Sequence, residues 1–125
     1  IKKYPNIKLF IDLHRDSVSH KVSTTSSNGK KYAKVMFVIG KEYDSYKKNL
    51  EVANKLNNII KTKASISRGV LLKEGKNVNG VYNQDINPNI ILIECGGNEN
   101  SLEEVINTID LLAEAISIYL GDSNG

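Results

Sequence analysis

Two side chains with catalytic chemistry stand at the ends of apolar runs. In IKLFIDLHRD, residues 7–16, Ile, Leu and Phe lead to His14, which is followed at once by Arg15 and Asp16. In NIILIECGGN, residues 89–98, the apolar run ends on Glu94, followed by Cys95 and a Gly-Gly pair. A neutral imidazole is the commonest metal ligand and a general base at ordinary pH. A strand-end histidine serves equally well as a hydrogen-bond partner for a neighbouring loop, and residue type alone does not separate the two. Glu is rarely buried unless paired. At the edge of an apolar run its charged form is disfavoured, which raises its pKa towards that of a general base. The alternative is a Glu94 satisfied by the backbone amides of Gly96 and Gly97. The same glycines let the backbone approach a ligand closely.

The neighbouring residues carry weaker signals. Arg15 is either a surface residue or an anion clamp. Asp16 either caps the following turn or orients the groups around His14. His20, six residues after His14, matches no standard ligand spacing and reads as a loop histidine. Asn83, Gln84 and Asp85 precede the last apolar run, where turn chemistry and substrate contact explain them equally well. Cys95 is the only cysteine, which excludes an internal disulfide, and it reads as a buried, inert thiol. No nucleophile elbow, P-loop, dinucleotide-binding glycine pattern or Cys pair is present. What remains is metal-assisted hydrolysis, with His14 as a ligand and Glu94 as the base. A catalytic zinc usually takes three protein ligands, and the chain is short of them.

These residues need rigid mounts, and the hydrophobic pattern supplies them. Strands are predicted at 7–13, 33–39, 68–73 and 89–95. Residues 17–32, rich in Ser, Thr and Gly, read as a long loop. Tyr46, Leu50, Ala53, Leu56 and Ile60 recur at helical spacing and predict a helix over 44–62, with Asp44 or Ser45 as its cap. A second helix starts at Asn100 or Ser101. Ser101 and Glu104 have capping-box spacing, and Leu102, Val105, Ile109, Leu112, Ile116 and Leu120 form its apolar stripe up to Gly121. EGKNVNG, residues 74–80, is predicted to turn the chain, and VYNQDINP to be irregular. Continuously apolar strands alternating with helices predict an α/β fold, a mostly parallel sheet with helices on both faces. Sites in such sheets lie beyond the carboxyl ends of the strands. If the strands ending at His14 and Glu94 are parallel neighbours, both residues project at one edge.

The 125 residues suit one domain, and their 40% hydrophobic and 25% charged content is that of a globular one. No apolar run reaches the roughly 18 residues that span a bilayer, and the first residues lack the anatomy of a signal peptide. The absence of an initiator Met suggests a piece of something longer. The net charge of +3 hides an asymmetry. All 17 basic residues lie at or before Lys76, with six acids; the other eight acids lie after it. The lysines are scattered without an aromatic platform, which argues against nucleic acid and for ordinary solvated faces.

YPNIKLFIDLHRDS, GVYNQDINPNIILIECGGNEN and SLEEV together resemble the C-terminal part of the stage II sporulation protein P family, over nearly the whole chain. The resemblance implies a peptidoglycan hydrolase of endospore-forming bacteria, related to zinc-dependent N-acetylmuramoyl-L-alanine amidases and with their fold. It implies that residues 1–125 are the C-terminal portion of a single catalytic domain. His14 matches the last zinc (Zn2+) ligand, Glu94 the catalytic carboxylate, Gly96 the glycine that follows it and Asn100 a trailing Asn. Arg15 and Asn83 are assigned to the substrate. The family's first two ligands lie in a strand and a Glu upstream of Ile1, so this chain holds only part of the site.

The resemblance further implies action outside the cytoplasmic membrane during engulfment. The anchor would be a membrane segment absent here, and the partners a lytic transglycosylase and a membrane scaffold. Some relatives are credited with cutting stem-peptide crosslinks as well. The rivals are a non-catalytic peptidoglycan-binding or partner-docking module, and a zinc peptidase acting only on stem peptides.

Overall fold

A computed structural model describes residues 6–75 and 80–124, without the side chains of 122–124. The elements run β1 (Phe10–Asp16), α1 (His20–Ser23), β2 (Thr24–Ser27), β3 (Lys30–Ala33), β4 (Val35–Gly40), α2 (Tyr46–Lys63), β5 (Ser67–Lys73), a 3-10 turn (Gln84–Ile86), β6 (Ile90–Gly97) and α3 (Leu102–Asn124). Residues 76–79, within the predicted 74–80 turn, lie outside the described residues.

The main sheet has the order β1-β6-β4-β5. β1 is parallel to β6 and β4 is parallel to β5, but β4 is antiparallel to β6. The sheet is therefore mixed rather than mostly parallel. The carboxyl ends of β1 and β6 share one edge, and those of β4 and β5 share the other.

The helices also depart from the expectation. Val35, Phe37 and Ile39 alternate along β4, and Ile91, Ile93 and Cys95 along β6. Alternation puts each set on one face, and both pack in a single core with Val52, Ala53, Leu56 and Ile60 of α2 and Leu111, Leu112, Ala115 and Tyr119 of α3. Both long helices thus lie on one face, because their apolar stripes meet each other as well as the sheet. Val38 and Leu92 are buried on the second face without such a helix, so continuous apolar strands did not require helices on both sides. None of the described helices is long and apolar enough to cross a membrane.

The predicted 17–32 loop is ordered. It holds α1 and a hairpin in which Thr24–Ser27 pairs antiparallel with Lys30–Ala33. Asn28 and Gly29 turn the hairpin at φ +51° and +80°, the left-handed pair that a tight two-residue turn needs. Thr108 Oγ1 of α3 donates 2.6 Å to the Ala33 carbonyl, which ties the hairpin to the helix layer.

At the other end of the sheet, the buried Asn49 of α2 donates through Nδ2 to the carbonyls of Gln84, Asn87 and Ile90. Gln84 in turn accepts from the Gly40 amide and donates to the Val38 carbonyl. The segment before β6 is therefore tied to the strand ends and to α2 by hydrogen bonds from the side-chain amides of Asn49 and Gln84 to backbone groups.

Candidate active site

His14 lies inside β1 rather than at its exit, directly in register with Glu94 of β6. In-register residues on neighbouring parallel strands project to the same side. The condition for His14 and Glu94 to share one edge, that their strands be parallel neighbours, is fulfilled. Glu94 is also opposite Met36 of β4, so the row lies on the second face, away from α2 and α3. Asp12 and Asp16 alternate with His14 and share that face.

His14 is half exposed, and its Nε2 lies 2.8 Å from Asp12 Oδ1. Beyond Glu94 the register changes: β6 advances from Glu94 to Gly97 while β1 advances only from His14 to Asp16. That bulge falls at Cys95 and Gly96, and Gly96 takes φ +66°, a conformation glycine adopts without strain. The bulge sets Asp16 beside Glu94.

Arg68 completes the group. Its Nη1 donates 2.7 Å to Asp16 Oδ2, and each side chain is about one-fifth exposed. β5 and β1 are the two edge strands, so this ion pair crosses the sheet above β4 and β6. A second bulge opposite Met36 places Arg68 there.

The charges on the two carboxyls are set apart. Burial pushes the Asp16 carboxyl up, but the Arg68 hydrogen bond, the Ser17 amide and Glu94 outweigh it and hold it below the usual value. For Glu94, burial acts first, and the charge of Asp16 and a hydrogen bond between the two carboxyls add to it. Lys73 and Arg68 pull the other way, and the net shift is upward. Asp16 is thus the anion of the pair, and Glu94 holds its proton to higher pH, as a group that both takes and returns protons requires. Glu94 Oε2 is buried with no hydrogen-bond partner among the described residues. The Gly96 amide donates to the Lys34 carbonyl and the Gly97 amide to Asn100 Oδ1. The glycine amides therefore do not satisfy Glu94. The two glycines serve the chain's turn into α3, where a Cβ on Gly96 would stand 2.5 Å from Asn100 Oδ1.

Other sequence-assigned residues fall elsewhere. Arg15 stands on the helix side of β1, where its Nη2 donates 2.9 Å to the Asn100 carbonyl, and the structure does not bring it to Glu94. Asn83 is exposed with φ +57° at the start of the 3-10 turn. That turn precedes Ile90, and roughly 13 Å of strand separates Ile90 from Glu94. Asn83 is therefore at the far end of the sheet. Asn100 is a scaffold: its Nδ2 donates to Thr24 Oγ1 and Glu104 Oε1.

His20 joins the same scaffold, with Nε2 3.0 Å from both carboxylate oxygens of Glu104. Cys95 is buried, as its sequence context suggested, and burial pushes its thiol up to about 11. Arg68 was missed; the one cue was a Gly directly after an Arg in an apolar strand, which signals a bulge.

The described residues contain no group of three His, Cys, Asp or Glu side chains placed for a metal ion. His14 can offer one ring nitrogen, and these residues do not by themselves fit a zinc.

The family model for stage II sporulation protein P matches residues 1–117. The chain is 38% identical over 119 residues to the stage II sporulation protein P of Bacillus subtilis (strain 168), which covers 94% of this chain and 30% of the relative. The chain thus spans about 30% of the length of that relative. No solved structure matches. The in-register His14 and Glu94, the glycine bulge and Asn100 all lie within the matched residues, and the chain belongs to the stage II sporulation protein P family.

Proposed function

We propose that the chain is the C-terminal portion of the catalytic domain of a sporulation peptidoglycan hydrolase, which cleaves the amide between N-acetylmuramic acid and L-alanine. The observation that carries this reading is Glu94: a carboxyl with a raised pKa and a buried, unpartnered oxygen, beside the anion Asp16 and in register with His14.

Glu94 acts as general base and then as general acid. It takes a proton from the attacking water as the new C–O bond forms at the amide carbon. It returns that proton to the amide nitrogen as the C–N bond breaks, so the amine leaves neutral. Asp16, kept ionised by Arg68, raises the proton affinity of Glu94 for this exchange. His14 is assigned one ligand position of a zinc whose other ligands come from outside the described residues. The substrate places the protein's action outside the cytoplasmic membrane.

In the full-length protein, Glu94→Gln is expected to lower release of wall fragments by on the order of 10²–10⁴ while leaving metal content unchanged. His14→Ala is expected to lose metal. Digestion of purified wall followed by mass spectrometry identifies the cleaved bond, and elemental analysis reads the metal. Undiminished release by Glu94→Gln overturns the base assignment. Release of free stem peptides confirms an amidase, and cleavage only within stem peptides identifies a peptidase. A protein that binds wall but releases nothing is the non-catalytic module.

A further inference from the structure

We propose that Arg68 is an anion-binding subsite beside Glu94, which takes a carboxylate of a peptide-bearing substrate. This rests on the reading of Glu94 as the reacting base and adds the class of group recognised next to it. Two independent features of β5 carry it.

The first is how Arg68 is mounted. Between Val35 and Phe37 of β4 the register of β5 advances from Ser67 to Val70, so Arg68 and Gly69 together face Met36. Gly69 sits at φ +100°, in the region where only glycine is at ease. The bulge is pinned: the Gly69 amide donates 2.9 Å to Ser67 Oγ, which donates to Asn57 Oδ1 of α2. Bulges of this kind re-aim a side chain, and this one sends Arg68 onto the second face.

The second is how the guanidinium is used. A guanidinium has five N–H donors in a planar fork suited to carboxylates. Only Nη1 has a hydrogen bond among the described residues, to Asp16 Oδ2 at 2.7 Å. Asp16 thus holds the fork in place while its remaining donors stay available, and the side chain is still about one-fifth exposed. Arg15, the arginine that sequence alone offers for an anion, is on the opposite side of β1 with its Nη2 on the Asn100 carbonyl. The anion-binding duty therefore moves from the arginine next to His14 in sequence to the one next to Glu94 in space. A partly buried ion pair, a Glu94 Oε2 without a hydrogen-bond partner among the described residues and unused guanidinium donors coincide at one place on the sheet.

The test uses the full-length protein and soluble muropeptides in two forms: with free carboxylates, and with those carboxylates amidated by carbodiimide and ammonium. Equilibrium binding is measured in a Glu94→Gln background and turnover in the wild-type background. Wild-type Arg68 is expected to bind the free-carboxylate form at least tenfold more tightly. Arg68→Gln is expected to lose that preference, binding the free form no more tightly than the amidated form and the amidated form as tightly as the Glu94→Gln protein does. Its kcat falls on both forms alike, because Asp16 loses the cation that keeps it ionised. Arg68→Lys restores part of the preference.

A preference that survives in Arg68→Gln overturns the proposal. So does an equal loss of binding affinity on both forms, which is what a purely structural ion pair gives, and so does equal binding of both forms at the outset. The binding arm does not need Glu94 to be the base. Retained turnover in Glu94→Gln would therefore refute that assignment while leaving the Arg68 result readable.

Discussion

At Gly96 a single residue type decides whether Asp16 and Glu94 meet. The bulge there needs φ +66°, and a Cβ would stand 2.5 Å from Asn100 Oδ1 and 2.7 Å from the Ala33 Cβ. Gly96→Ala therefore combines backbone strain with overpacking, each of which costs about 1–3 kcal/mol. The expected outcome is a lowered denaturation midpoint together with reduced activity. Gly69→Ala, where nothing lies within 4 Å of a new Cβ, is expected to cost only the strain of its φ. Denaturation of both variants checks the difference. Glu94 and His14 were legible as candidates because each interrupts an apolar run with a group that can do chemistry. Arg68 was not, because its importance comes from a partner on the opposite edge strand, 52 residues away, and no local pattern encodes that neighbour.

The start of α3 is where local sequence spoke most directly. The Ser101 amide donates to Glu104 Oε1 at 3.0 Å, and the Glu104 amide donates to Ser101 Oγ at 3.2 Å, the reciprocal pair that the spacing predicts. Asn100 adds a side-chain hydrogen bond, and His20 brings α1 onto the same carboxylate. Asn100, the Ser101 amide and His20 more than offset burial and hold Glu104 down at about 2, against an ordinary 4.5. The folded pKa is depressed, so Glu104 contributes stability that is complete above about 4.5 and lost as pH falls through about 2.

Denaturant midpoints measured from pH 5 to pH 2 are expected to fall steeply in the unmodified protein and less steeply in Glu104→Gln. The rest of α3 follows the predicted stripe at Val105, Ile109, Leu112, Ile116 and Leu120, which lie in or against the core, and departs from it at Leu102. Its buried centre is Thr108, Leu111, Leu112, Ala115 and Tyr119, while Leu102 of the predicted stripe is 75% exposed. The helix also continues past Gly121 to Asn124. A stripe wide enough to face both α2 and the sheet has more than one reading on a helical wheel, and only the neighbours choose between them.

Across the whole molecule, the sheet divides a packed side from a chemical one. Phe37 faces both helices and is fully buried, whereas Met36 faces Glu94. Phe37→Ala is expected to cost about 3–5 kcal/mol, and Met36→Ala clearly less, as comparison of their denaturation midpoints will show. β1, the strand that carries His14, is an edge strand. Ile11, Leu13, Ile109 and Ile116 line an apolar cleft of about 150 Å³ beside it, and Leu13 is 51% exposed.

The sequence by itself determined the four strands of the main sheet, the two long helices and the capping box, and it marked His14 and Glu94 as candidates. Each of these follows from residue type and period, which act over a few residues. The Asn28-Gly29 hairpin was equally local, and its signal lay in a stretch read as a loop because its flanks are Thr, Ser and Lys rather than apolar residues. Tertiary structure alone decided the antiparallel seam between β4 and β6, the gathering of both helices on one face and the removal of Asn83 to the far end. It also decided which arginine reaches the site. Strand order and direction are settled by which apolar faces meet across the chain, and alternation then sends His14 and Arg15, adjacent in sequence, to opposite sides of the same strand.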